Sequence, residues 1–172
     1  AVGLAAVQGA RLAGAGTIIA VDPQSSRRAA AAAAGASVLC DPGAEDPVAM
    51  GKSLTGGRGA DVVIEAAGAP AAFRASVEAV RPGGQVIWLG KTGVNEEVGF
   101  RWGALMQEKR IVRSSYGGAR PRKDFPAMCW AYLDGKLELD SLVTARIRLE
   151  EINEGFAALK AGEAIRSVIL FD

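Results

Sequence analysis

Histidine is absent from all 172 residues of the chain. The commonest general base near neutral pH and the commonest zinc ligand are thereby removed together. Cysteine is scarce: Cys40 and Cys129 are spaced neither as a metal knuckle nor as a redox pair, so both are expected to be buried small apolar residues. No apolar run approaches the roughly 18 residues of a membrane span, and no charged start precedes a signal-type core. The expected location is the cytoplasm. Long runs of one charge are missing as well. Lys and Arg total 20 against 19 acidic residues, which excludes a polyelectrolyte arm and makes nucleic acid an unexpected partner. Arg120, Arg122 and Lys123 form a basic cluster, read as a solvated loop entering a helix in preference to an anion patch.

What is abundant is glycine, 22 residues, roughly double the usual share. That many glycines imply many tight strand-to-helix turns. Hydrophobic residues at 49% and charged residues at 23% are ordinary globular proportions, and the length suits one domain or one domain with a short appendage.

Short β-branched runs alternate with alanine-rich stretches, the pattern of a parallel sheet covered by helices. The expected order begins with a helix over 2–13 and a strand over 17–21 ending at Asp22. A helix capped by Ser25 or Ser26 then stops at Gly35, and a strand follows over 37–40. Asp46-Pro47 places a cap before a proline at the first helical position, starting a helix that runs to Leu54. Strands over 61–66, 85–89 and 111–115 follow, with a helix from Pro70 between the first two. The tail reads as a helix over 124–133, a strand over 146–149, a helix over 151–159 and a final strand over 167–171.

Three features fall where a doubly wound sheet binds ligands, at the carboxyl ends of successive strands. Gly3 stands where the last glycine of a dinucleotide fingerprint would lie, with the amides of Ala1 and Val2 at a helix amino end suited to a pyrophosphate. Asp22 follows about 20 residues on, the spacing at which a carboxylate accepts hydrogen bonds from ribose hydroxyls; a plain helix-opening aspartate before Pro23 is the competing reading. Arg27 and Arg28 lie one turn further and could reach the same ribose or simply form a solvated face. The strand ends Ala66-Ala67-Gly68 and Leu89-Gly90 lack bulk, which would let a flat ring approach the backbone, although tight turns alone would also account for them.

The stretches AVGLAAVQGA, IIAVD, GADVVIEAAG, RPGGQVIWLG and SSYGG, with the ending INEGFAALKAGEAIRSVILF, resemble the zinc-type alcohol dehydrogenases of the medium-chain superfamily, collinearly over essentially the whole chain. The resemblance implies an α/β fold: a Rossmann-type doubly wound parallel sheet over 1–115 that binds NAD, and a segment over 116–172 that packs on a catalytic domain. It implies that Ala1, Val2 and Gly3 end the glycine fingerprint and that Asp22 and Arg27 hold the adenosine ribose. Ala66, Gly68, Leu89, Gly90 and Lys91 flank the nicotinamide side, Tyr116 lies near it, and Arg166 reaches the pyrophosphate. The partner implied is a small alcohol or aldehyde. The apolar edge over 98–102 resembles the family's dimer edge, so a homodimer is expected.

The resemblance departs at the front, because the fingerprint's strand, its first two glycines and the family's zinc ligands would all precede Ala1. The sheet is therefore expected to lack its first strand, which would sit between those ending at Asp22 and Glu65. Two inner strands would be left to close up, pair with another chain or stay soft, and closing would shift Asp22 toward Gly68 by about 4.8 Å. The chain alone is expected to be inactive and to bind NAD poorly. The alternatives are an S-adenosylmethionine-dependent methyltransferase, suggested by RPGG before a strand, and a non-catalytic nucleotide-binding module.

Overall fold

A computed structural model describes residues 1–171. Helices α1 (Val2–Leu12), α2 (Ser25–Ala34), α3 (Pro47–Ser53) and α4 (Pro70–Ala79) alternate with strands β1 (Ile19–Val21), β2 (Val38–Cys40), β3 (Ala60–Glu65) and β4 (Val80–Trp88), and β5 (Arg110–Arg113) follows. The tail adds α5 (Pro121–Leu133), β6 (Ala145–Ile147), α6 (Ile152–Ala161) and β7 (Ser167–Ile169). Every strand pairing is parallel, as expected where helices connect the strands.

The strands form three groups: β1 beside β2, β3-β4-β5, and β6 beside β7. Between β1 and β3 there is no ladder, so the two central strands have not closed on each other. On these two strands Val21 (46% exposed), Val62 (52%) and Ile64 (38%) are uncovered, although apolar residues of a doubly wound sheet are normally covered on both faces.

Two local cores result. In one, α4 lays Phe73 and Val77 on β4, whose Val80 and Val86 are buried with them. Trp88 extends this core, meeting Phe73 edge-on at 5.3 Å and stacking on Phe100 at 5.6 Å. In the other, α2 covers β1 and β2 and buries Ala20, Ala31 and Cys40. Alanine on both α2 and β1 permits that close approach.

The Asp46 carboxylate caps α3 by accepting from the Val48 amide at 2.8 Å, with Pro47 opening the helix. Neither serine caps α2: Ser25 is already helical, Gln24 is the boundary residue, and its amide is held by Asp22 at 2.9 Å. Local acceptors compete for such positions, and the aspartate is the stronger one. Cys129 also departs from expectation, since it is exposed on α5. No α5 side chain is buried; Phe125, Met128, Trp130 and Leu133 are exposed as well.

The tail is nevertheless tied to the first unit. Gln8, on α1, is 1% exposed and exchanges two hydrogen bonds with the Glu138 backbone, while Arg11 donates to the Lys136 carbonyl at 2.7 Å.

Candidate cofactor crevice

The carboxyl ends of β1, β3 and β4 open toward the amino end of α1. The first-turn amides of α1, those of Val2 and Gly3 among them, have no intrahelical acceptor and carry the positive end of the helix dipole. A Cβ built on Gly3 would meet only the Ala66 Cβ, at an ordinary 3.8 Å, so Gly3 marks where α1 lies beside the end of β3 without being sterically obligatory. The Ala1 amino group is held below its ordinary pKa, first by burial and then by the Arg27 and Arg166 charges, with Asp22 opposing them. Arg27, Arg166 and Asp22 are thus within electrostatic reach of the Ala1 end of α1, although Arg166 arrives from just before β7, far along the chain.

Asp22 divides its work. Oδ1 accepts from the Gln24 amide, whereas Oδ2 stands 4.0 Å from Arg27 Nη1. Arg28 is occupied elsewhere: it donates to the Asp22 carbonyl at 2.7 Å and pairs with Asp41 at 3.1 Å. Thus Arg28 fixes the backbone beneath the aspartate, and Arg27 is the arginine left facing the crevice with one carboxylate oxygen beside it.

The two small-residue strand ends interlock. Glu65 is 4% exposed, and its Oε1 accepts from the amides of Ala67 at 2.8 Å and Gly68 at 2.7 Å. Its carbonyl accepts from Leu89 and Gly90. Oε2 has no hydrogen-bond partner and lies where a Cβ on Gly90 would be. Gly68 has φ +75°, and a Cβ there would strike the Lys91 carbonyl. Both glycines are thus required by close approach of backbone to backbone, and Ala66–Gly68 and Leu89–Lys91 form one wall.

Arg113 supports that wall by donating to the Gly90 carbonyl at 2.8 Å, and Lys91 is exposed on it. Tyr116 lies just beyond β5, also exposed, with its ring edge-on to Phe125 at 6.1 Å. Glu65 was missed as a site residue; the available signal was an acid ending an otherwise apolar buried strand immediately before Ala-Ala-Gly.

The donor set suits a dinucleotide, with a carboxylate and Arg27 for a ribose diol, helix amides and Arg166 for a pyrophosphate, and a bare backbone wall for a flat ring. It does not suit zinc. Among the described residues no group of three or more His, Cys, Asp or Glu is placed to hold a metal ion.

Comparison with known proteins accords with this architecture. The family model for zinc-binding dehydrogenases matches residues 1–133. The chain is 34% identical over 177 aligned positions to an S-(hydroxymethyl)glutathione dehydrogenase of Paracoccus denitrificans, covering 99% of this chain and 47% of that protein. It is 36% identical to a geraniol dehydrogenase of Castellaniella defragrans, covering 99% and 46%. Among solved structures it superposes on benzyl alcohol dehydrogenase from Acinetobacter calcoaceticus with a TM-score of 0.94 at 29% identity, over 99% of this chain and 47% of that one. The chain spans about half the length of the curated relatives it matches. With a family model spanning most of its length, the chain belongs to the zinc-binding dehydrogenase family.

Proposed function

We propose that this chain is the cofactor-holding portion of an NAD-dependent alcohol dehydrogenase, in which NAD exchanges a hydride with a small alcohol or aldehyde. The observation that carries the reading is Asp22, whose Oδ1 is spent on its own turn while Oδ2 faces Arg27 beside the amino end of α1. Oδ2 accepts from a ribose diol and would repel a 2′-phosphate. Arg27 shares the ribose with Asp22, and the α1 amides with Arg166 hold the pyrophosphate, while Ala66, Gly68, Leu89, Gly90 and Lys91 present the nicotinamide wall and Tyr116 borders it.

Orientation of the cofactor is this chain's contribution to catalysis; the cofactor supplies the chemistry. No step is assigned to zinc here, because the donors present do not fit it. The exposed apolar faces of α5 and α6, with Trp130 and Phe156 uncovered, support the reading that residues 116–172 pack against a catalytic domain. We also read the protein as a cytoplasmic homodimer joined through the edge at 98–102. The methyltransferase alternative is set aside by the family, and the non-catalytic module becomes an outcome of the test.

That test fuses the chain to the portion of the geraniol dehydrogenase which it does not span. Alcohol-dependent reduction of NAD, in preference to NADP, is expected. A folded fusion that binds NAD without reducing it indicates the non-catalytic module, and one that binds neither cofactor overturns the assignment. The unfused chain, with no strand between β1 and β3, is expected to bind NAD more weakly than micromolar.

A further inference from the structure

At the opposite end of the β3-β4-β5 sheet, the strand starts surround a second basin of about 640 Å³. A strand of six residues separates the ends by about 20 Å, so the basin is distinct from the cofactor crevice. Five cations line it, contributed by separate places in the chain: Lys52 from α3, Arg58 from the turn after it, Arg81 from β4, Arg101 from the edge segment and Lys109 from just before β5. One acid, Glu78, lines it with them.

Two of the five are neutralised. Arg101 makes a two-pronged pair with Glu78, at 3.0 and 2.6 Å, and Arg81 pairs with Asp61. Lys52, Arg58 and Lys109 have no ion-pair partner among the described residues. Arg58 donates to the Thr55 carbonyl and Lys109 to the Val77 carbonyl at 2.8 Å, contacts that orient the groups without cancelling their charge. The Lys109 ammonium is held below its ordinary pKa, first by burial, with Glu78 opposing and Lys52 and Arg101 adding to the depression. Three cations without an ion-pair partner around one basin raise the positive potential there and so attract an anion.

We propose that this basin binds a compact, multiply charged anion of the diphosphate kind, bridged by Lys52, Arg58 and Lys109. Two linked phosphoryl groups carry more charge and more acceptor oxygens than a single tetrahedral anion, and so serve cations arriving from three elements better. Because the basin lies away from Asp22, Arg27 and Arg166, the inference stands independently of the NAD reading.

Calorimetric titration of inorganic pyrophosphate into the 172-residue chain at low ionic strength tests it. One site is expected, at least tenfold tighter for pyrophosphate than for sulfate. Lys52→Ala, a change at an exposed side chain, should weaken binding about tenfold, and Arg166→Ala in the crevice should leave it unchanged. Glu78→Gln frees Arg101 and should tighten binding severalfold, a gain that no loss of folding can mimic. No binding, equal affinity for sulfate, or sensitivity to Arg166→Ala with indifference to Lys52→Ala and Glu78→Gln would overturn the proposal.

Discussion

Gln8 and Glu138, 130 residues apart, are joined by two hydrogen bonds of 2.7 Å, the Gln8 amide nitrogen donating to the Glu138 carbonyl and its oxygen accepting from the Glu138 amide. The pair replaces one step of a ladder between α1 and the turn after α5. Gln8→Leu removes both bonds and leaves a donor and an acceptor unpaired in a partly buried place, at about 1–3 kcal/mol per unsatisfied group. We expect Gln8→Leu to lower the thermal midpoint by roughly 4–24 °C, from about 2–6 kcal/mol for the two groups at about 2–4 °C per kcal/mol for a chain of this size. An unchanged midpoint would show that the clasp contributes nothing.

The aspartate beside Arg27 provides a second test. Asp22→Gly removes the acceptor for the ribose diol and the charge opposing a 2′-phosphate, so the ratio of NAD to NADP affinity in the fusion enzyme should fall at least tenfold, about 1.4 kcal/mol. Arg28, which buttresses the Asp22 carbonyl, stays in place. Equal use of both cofactors by the unmutated fusion would remove the ribose role from Asp22.

Periodicity made the alternation of strands and helices legible, because each element is chosen by its own apolar spacing, and Asp46-Pro47 reads correctly because cap and proline act within three residues. Gln8 was not legible as a clasp: a single polar residue in an apolar helix does not reveal a partner so distant in the chain. The strand expected over 85–89 begins earlier: residues 80–84, with Pro82 and two glycines, belong to β4, where an irregularity in its pairing with β3 accommodates them. Cys129 was misjudged because small apolar residues are usually buried, whereas all of α5 displays its apolar side chains. Near the crevice, spacing is what singles out the acid after β1, but the pairing of Glu65 with the Gly68 turn depends on how two strand ends approach, which one strand's sequence does not encode.

The pair between Glu78 and Arg101 makes stability depend on pH. Glu78 is held below its ordinary value of 4.5, chiefly by the hydrogen bond from Arg101, with burial opposing and the charges of Arg101, Lys109 and Lys52 assisting. A carboxylate depressed on folding contributes fully above its unfolded pKa and loses that contribution as pH falls through the folded one. Both partners are partly exposed, so the contribution is about 1 kcal/mol or less. Glu78→Gln should therefore melt lower than the parent at pH 7 by no more than about 4 °C, with the gap closing below pH 4.5. A gap that persists undiminished in acid would assign the effect to something other than this charge.

Assembly can be tested at Trp102, which is 77% exposed at the end of the apolar edge, while Phe100 is partly covered by its stack on Trp88. An uncovered indole beside a sheet is a liability unless another chain covers it. Light scattering at tens of micromolar should give a dimer for the fusion enzyme, and Trp102→Ser should shift it toward monomer. A monomeric parent would remove the dimer reading.

Gly90→Ala probes the wall itself. Its backbone does not occupy the left-handed region, so any cost arises from space alone. The added methyl would collide with Glu65 Oε2 and approach the Gly68 amide nitrogen to 2.5 Å and its Cα to 2.7 Å. Two of those atoms are backbone, and the third belongs to a carboxylate held by two amides, so none can retreat without loosening the Gly68 turn. Overpacking of this kind costs about 1–3 kcal/mol, a fall of roughly 2–12 °C in midpoint. The same displacement parts Ala66–Gly68 from Leu89–Lys91, so NAD affinity in the fusion should fall with stability. Glu65→Ala does not repair the variant, since the Gly68 contacts remain. A Gly90→Ala protein that melts with the parent and binds NAD equally would show that the wall does not depend on this close approach.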